Sequence, residues 1–203
     1  MRRLIVFVFC CFGFAANAAT NDAALLKSVL AELAQHAAVR AEFSQTRSNP
    51  ALSQPQVSSG QLLFVLGHGM LWQVQAPYQE TLALTGSHSA RVDGQGQLQP
   101  MRSDRGVSQV SQMLQSMLSG QPDEVLRQFD LQASGTAAQW TLHFTPKQER
   151  MAHVLTSIEL NGDAFLQGIR IDMQDGSSTR IRFNGTRVAG ALSPLEQHAL
   201  GAP

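Results

Sequence analysis

With 15 basic and 15 acidic side chains among 203 residues, the chain carries no formal net charge and lacks the basic footprint of a nucleic-acid binder. Its hydrophobic content of 43% against 15% charged residues is enough for one packed core. Its two cysteines, Cys10 and Cys11, are adjacent, which excludes a disulfide-stapled scaffold.

Met1-Arg2-Arg3 is a short basic start, Leu4 to Phe14 is apolar, and Ala16-Asn17-Ala18 has the small-x-small pattern of a cleavage site. Residues 1–18 are therefore expected to be a secretory signal peptide, removed before Ala19. Lipidation is not expected, because Phe9 precedes Cys10 and Cys10 precedes Cys11 where a small residue is needed. The remaining 19–203 segment then has no cysteine and two fewer basic than acidic residues. No second apolar span follows. A single soluble domain in the periplasm, a monomer, is the expectation.

Asn21 or Asp22 is placed to cap a helix with apolar residues at Leu25, Leu26, Val29, Leu30, Leu33 and Ala37, one stripe at the helical period. Strands are expected from Val39 onwards. Phe43 to Thr46 alternates, and a polar, proline-bearing bridge leads to Gly60. The run Leu62-Leu63-Phe64-Val65-Leu66 is apolar on both faces, as in a strand covered on both sides. Met70, Trp72 and Val74 share one face of the next strand, opposite Leu71, Gln73 and Gln75. Glu80–Thr85 follows with Leu82 and Leu84 alternating, then Ser87–Val92, a turn at Asp93-Gly94-Gln95-Gly96, and Leu98–Met101.

The second helical stripe is Val110, Met113, Leu114, Met117 and Leu118, and Pro122-Asp123-Glu124 starts a short third helix. Strands resume at 129–133, 139–145, 154–160, 165–173 and 177–183, the last three separated by turns at Asn161-Gly162-Asp163 and Asp175-Gly176. The segment from Ser193 carries no clear pattern. Runs of strands with helices segregated between them predict an α+β fold with a mostly antiparallel sheet.

Groups arranged for catalysis are missing. The histidines lack zinc-type spacing, although His143 and His153 are placed to face each other across a hairpin. Gly106-Val107-Ser108-Gln109-Val110 lacks the second glycine of a nucleophile elbow. Asp123-Glu124 suits a helix N-terminus, and Arg180 and Arg182 read as a solvated strand face. No enzyme, metal or cofactor is expected. Two apolar features remain. Met113 and Met117, one turn apart, fit ordinary core packing or a movable lid. Trp72 and Trp140 fit the core equally, or a pocket with Met70, Val74, Leu142 and Phe144.

The ordered set Phe43-Ser-Gln45-Thr, Gly60-Gln-Leu62, Leu71-Trp72 with Pro77, Leu142-His-Phe144-Thr-Pro146-Lys147, and Asp175-Gly176 before Thr179-Arg-Ile181-Arg-Phe183 resembles the LolA family of periplasmic lipoprotein carriers. The resemblance implies an incomplete antiparallel β-barrel of about eleven strands, with a helical lid enclosing an apolar cavity for acyl chains. It implies lipoprotein or lipid-like cargo, received from an inner-membrane releasing transporter and passed to an outer-membrane acceptor. A lipid-sensing module of RseB type, or a carrier of another amphiphile, is the alternative. The expected lining is Phe43, Phe64, Leu66, Met70, Trp72, Val74, Leu82, Leu84, Met113, Met117, Trp140 and Phe144, with the family's cavity aromatics falling on Met70 and Trp72. Six residues after the glycine, founding members carry an arginine that hydrogen-bonds the lid shut, followed by a proline; here these positions are Leu66 and Gly67. The lid is then expected to rest on Val110, Met113, Leu114 and Met117 alone. The family's C-terminal strand with its Pro-Pro-x-Gly segment is absent from Ser193 to Pro203.

Overall fold

The computed structural model describes residues 15–86, 88–101, 105–118 and 122–202, with no side-chain description for 15–20 and 105–111. Most of the expected signal segment, residues 1–14, lies outside the described residues, as does the side chain of Val110.

Helix α1 (Ala15–Leu33) leads into β1 (Ala38–Ser48), β2 (Gln56–Val65), β3 (Gly69–Ala76), β4 (Glu80–Thr85), β5 (His88–Val92) and β6 (Leu98–Pro100). Helices α2 (Arg105–Leu118) and α3 (Pro122–Gln128) follow. Then come β7 (Phe129–Thr136), β8 (Gln139–Pro146), the single turn α4 (Glu149–Ala152), β9 (Leu155–Gly162), β10 (Leu166–Met173), β11 (Ser178–Val188) and α5 (Pro194–Leu200). The eleven strands form one antiparallel sheet in the order β6-β5-β4-β3-β2-β1-β11-β10-β9-β8-β7. This is the antiparallel sheet expected from the strand pattern and the unclosed barrel implied by the family resemblance, built of two meanders joined by the β1–β11 pair.

That order explains the lid. β6 and β7 are adjacent in the chain yet lie at opposite edges of the sheet. Their connection has to cross the barrel's open side, and it carries α2 and α3. The buried stripe Met113, Leu114 and Met117 faces inward and, with Leu26, Val29 and Leu30 of α1, completes the core against the inner face of the sheet. Burying such side chains contributes about 1.5–3 kcal/mol each.

Three local expectations need correction. Asn21 and Asp22 are not a cap, because α1 begins at Ala15 and passes through them. His143 and His153 do not meet: His143 stands opposite Gln132 and Glu159 in the sheet, its Nδ1 3.9 Å from the Glu159 carboxylate. His153 instead closes the turn of α4, a helix the alternation-based reading missed.

The third correction concerns the end of the chain. Ser193 caps α5 with a capping box to Glu196, Pro194 occupies the first turn, and Gly201 ends the helix at φ 59°. These signals are legible in the sequence, but the helix is only seven residues long and shows little apolar periodicity. Its Ala199 and Leu200 pack on Leu63, Val65, Leu71, Ala83 and Val92, a second core on the outer face of the sheet. Here lies the cause of the two-sided run 62–66. Leu62 and Phe64 face the inner core, and Leu63 and Val65 face the tail helix.

An ion pair ties that helix to the barrel. The Arg40 guanidinium donates to both Glu196 oxygens at 2.6 and 2.9 Å, and the Glu196 side chain is 12% exposed. Arg40, together with the Ser193 amide, pulls the Glu196 pKa down to about 2. A carboxylate with a lowered folded-state pKa adds stability above its unfolded pKa and loses it as pH falls towards the folded value. We therefore expect a loss of at most about 3 kcal/mol between about pH 4.5 and pH 2. In Glu196→Gln this part of the acid sensitivity should vanish, measured as urea midpoint against pH. An unchanged pH slope in the variant would remove this ion pair from the account.

Gly60 marks a close approach of β2 to β3. A β-carbon there would lie 1.8 Å from the Gln73 carbonyl oxygen, which is backbone and has no rotamer to yield. Opposite Gly60 on β1 stands Phe43, whose ring stacks on Trp72 with centroids 3.8 Å apart. Gly60→Ala should cost about 1–3 kcal/mol or more, seen as a lower melting temperature. A melting temperature equal to the parent's would mean the strands separate freely here.

Candidate functional site

Between the inner face of the sheet and the helices lies a cavity of about 80 Å³. Among the described residues sixteen border it, and of these only His36 and Thr186 are not hydrophobic. The roof is Leu114 and Leu118 of α2 with Leu33 at the end of α1; the floor is Leu62, Phe64, Met70 and Trp72 from β2 and β3. The far wall is Ile169, Ile181 and Phe183, with Phe165 and Leu166 at the β9–β10 turn. Val39 and Ala41 of β1 complete the bottom.

Alternation puts these side chains in register. In β3, Met70 and Trp72 point inward while Leu71 points to the tail helix. In β11, Ile181 and Phe183 are buried while Arg180 and Arg182 are exposed. The Trp72 ring joins the two halves of the barrel, stacked on Phe43 and edge-on to Phe183 at 6.4 Å. His36 and Phe165 stack with centroids 4.7 Å apart and close one end of the cavity.

Of the twelve residues expected to line a site, Phe64, Met70 and Trp72 border this cavity. Phe43 lies directly behind Trp72. Val74, Leu84, Met113, Met117, Trp140 and Phe144 are buried in the same inner core away from the void, and Leu82 packs against them half-buried. Trp140 donates its indole N–H to the Asp163 carbonyl at 2.7 Å, and Phe144 meets Phe129 edge-on at 6.2 Å. Leu66 ends the β2 region with its amide donating to the Ala37 carbonyl at 2.8 Å, and its side chain also packs on the core. The contributors outside those twelve are Leu62 of β2, Leu114 and Leu118 of α2, and residues from α1's end, β1, the β9–β10 turn, β10 and β11. Alternation marks the inward faces of β10 and β11, but only the β1–β11 pairing brings those faces opposite Trp72.

A void of this size is smaller than the roughly 150 Å³ cavity that accommodates benzene in an engineered core. The closed molecule therefore has no room for an acyl chain. Room to hold a chain requires that Leu114 and Leu118 lift off Met70 and Trp72. Such motion breaks apolar contacts and no polar ones from the described cavity-facing side chains of α2. Among the described residues no three His, Cys, Asp or Glu side chains come together as a metal site, and no described helix is long and apolar enough to cross a membrane.

Comparison with known proteins matches residues 15–198 to the family described as outer membrane lipoprotein carrier protein LolA-like. An outer-membrane lipoprotein carrier protein of Methylococcus capsulatus is 27% identical over 195 residues, covering 95% of this chain and 90% of that one. Among solved structures, a LolA superfamily protein from Nitrosomonas europaea superposes with a TM-score of 0.45 at 8% identity, over 85% of this chain and 97% of that one. The Pseudomonas aeruginosa MucA/MucB complex gives 0.48 at 12% identity, over 88% of this chain and 59% of the matched one. By the span of the family match, the chain belongs to the LolA-like outer-membrane lipoprotein carriers.

Proposed function

We propose that this protein is a non-enzymatic periplasmic carrier that holds the acyl chains of lipoproteins, or of a related lipid-like cargo, between the sheet and α2. It takes them from a releasing transporter in the inner membrane and delivers them to an acceptor in the outer membrane. Residues 1–18 serve as its export signal, and N-terminal sequencing should find Ala19 first. The observation that carries the reading is the hydrocarbon-lined cavity under a helix that rests on apolar contacts.

The physical need for a carrier is large. Each methylene withdrawn from water is worth about 0.8 kcal/mol, so a chain of about sixteen carbons costs roughly 12 kcal/mol to expose. A cavity that replaces one apolar surface by another removes most of that cost. Affinity must stay well below the noncovalent ceiling, because cargo held at that limit would not be released. A lining with no charged side chain among the described residues, and Leu66 where founding members carry a latching arginine, both suit easy loading and release.

The test is uptake of N-phenyl-1-naphthylamine, which fluoresces when it leaves water. Leu118 is half-buried on the roof, so Leu118→Glu should keep the circular-dichroism spectrum while weakening uptake at least about tenfold, since a charge is not tolerated against a dry lining. Equal uptake by the variant, or none by the parent protein, would count against the carrier reading.

A further inference from the structure

The β10–β11 ladder runs from Asp172/Ser178 to Gly168/Arg182 and stops. Beyond that rung Gln167 is squeezed out of register with β9, and β11 from Asn184 onwards is paired with β1 alone. The wall of the barrel is thus notched where β10 leaves β11. Phe165, Ile169, Ile181, Phe183 and Thr186 border the inner cavity and also an open groove of about 830 Å³ on the other side of the sheet. These five residues are thus the wall that separates the cavity from the groove, thinnest at the notch where the β10–β11 ladder has ended.

Resting on the carrier reading above, we propose that the notch is a lateral way in for an acyl chain whose head group is anionic, a carboxylate or a phosphate monoester, and stays outside on Arg180 and Arg182. Both arginines are exposed on the groove side, and Arg182 stands on the last rung before the notch. Neither guanidinium has a hydrogen-bond or ion-pair partner among the described residues. The other charges in the groove are committed differently. Arg170 is held by Asp172 at 2.8 Å, with Glu159 opposite it in the sheet. Asp163 accepts from the Phe165 amide and shapes the turn. At the final rung Gly168 offers no side chain, and the Asn161 carboxamide lies over it. Behind the notch, Phe165 sits on the β9–β10 turn, stacked on His36 and bordering both the cavity and the groove. A chain passing here would keep its hydrocarbon against Ile169 and Phe183 while its charge meets two free guanidinium groups, which favour carboxylate and phosphate oxygens.

The experiment titrates the full-length exported protein with cis-parinaric acid and with its methyl ester at pH 8. The acid should bind about tenfold more tightly than the ester, and this advantage should shrink with added salt. Arg180→Gln/Arg182→Gln should abolish the advantage and leave ester binding unchanged. Displacement by myristate and by a lysophosphatidic acid then tells carboxylate from phosphate. Phe165→Ala should speed uptake of both probes. Equal binding of acid and ester in the parent, an advantage that survives the double substitution, or unchanged uptake in Phe165→Ala each overturns the notch proposal while ester binding still upholds the carrier reading. Failure of both probes to bind overturns both.

Discussion

Deleting residues 193–203 is expected to lower the melting temperature by about 10–20 °C and to expose an apolar patch that binds anilinonaphthalene sulfonate. The deletion removes α5 and with it Ala199 and Leu200, leaving Leu63, Val65, Leu71 and Ala83 open to water on the outer face. It also removes Glu196 and strands the Arg40 guanidinium. Uncovering two to three large apolar side chains costs about 4–6 kcal/mol. In a protein of this size, each kcal/mol moves the midpoint by about 2–4 °C. The milder Leu200→Asp should lie between parent and deletion. A truncated protein that melts within about 2 °C of the parent would show that α5 merely rests on the sheet. Probe uptake per folded molecule is expected to survive, because no residue of α5 borders the inner cavity.

The second large effect separates core from lining. Phe144→Ala is expected to destabilise the fold by about 3–5 kcal/mol, read as a fall in the urea midpoint with an unchanged slope. Phe144 is fully buried against Phe129 and does not border the void, so the truncated ring leaves a new hole. Met70→Ala is the contrast. It enlarges an existing space, its neighbours Trp72 and Leu114 already border that space, and it should increase uptake of the apolar fluorophore. Phe144→Ala should leave uptake by the folded fraction unaltered. The opposite pattern, binding lost with Phe144 and stability lost with Met70, would relocate the ligand site to the β7–β8 side of the barrel.

The fold was legible in the sequence wherever one face of an element had to be apolar. The inward row Met70, Trp72 and Val74, the strict alternation in Arg180–Phe183, the stripe Met113–Leu118, and the Asp93-Gly94 turn each specify an element through local chemistry. The unbroken run Leu62–Leu66 even stated that two layers cover β2, without saying what the outer layer was. The helix Pro194–Leu200 escaped because a seven-residue segment has hardly two turns in which to show a period; its local signals were confined to its ends, the Ser193/Glu196 capping box, Pro194 and Gly201. The site was legible in part, since alternation decides which side chains face inward but not which of them border empty space. That Met70 and Trp72 border the void while Trp140 and Phe144 do not was decided by the β1–β11 pairing and by where the β6-to-β7 connection crosses the open side. Both are contacts between residues far apart in the chain, whose spacing no local pattern records. Periodicity fixes the facing of a side chain; a cavity is what remains when all facing side chains have been packed, and only the tertiary structure can decide where that is.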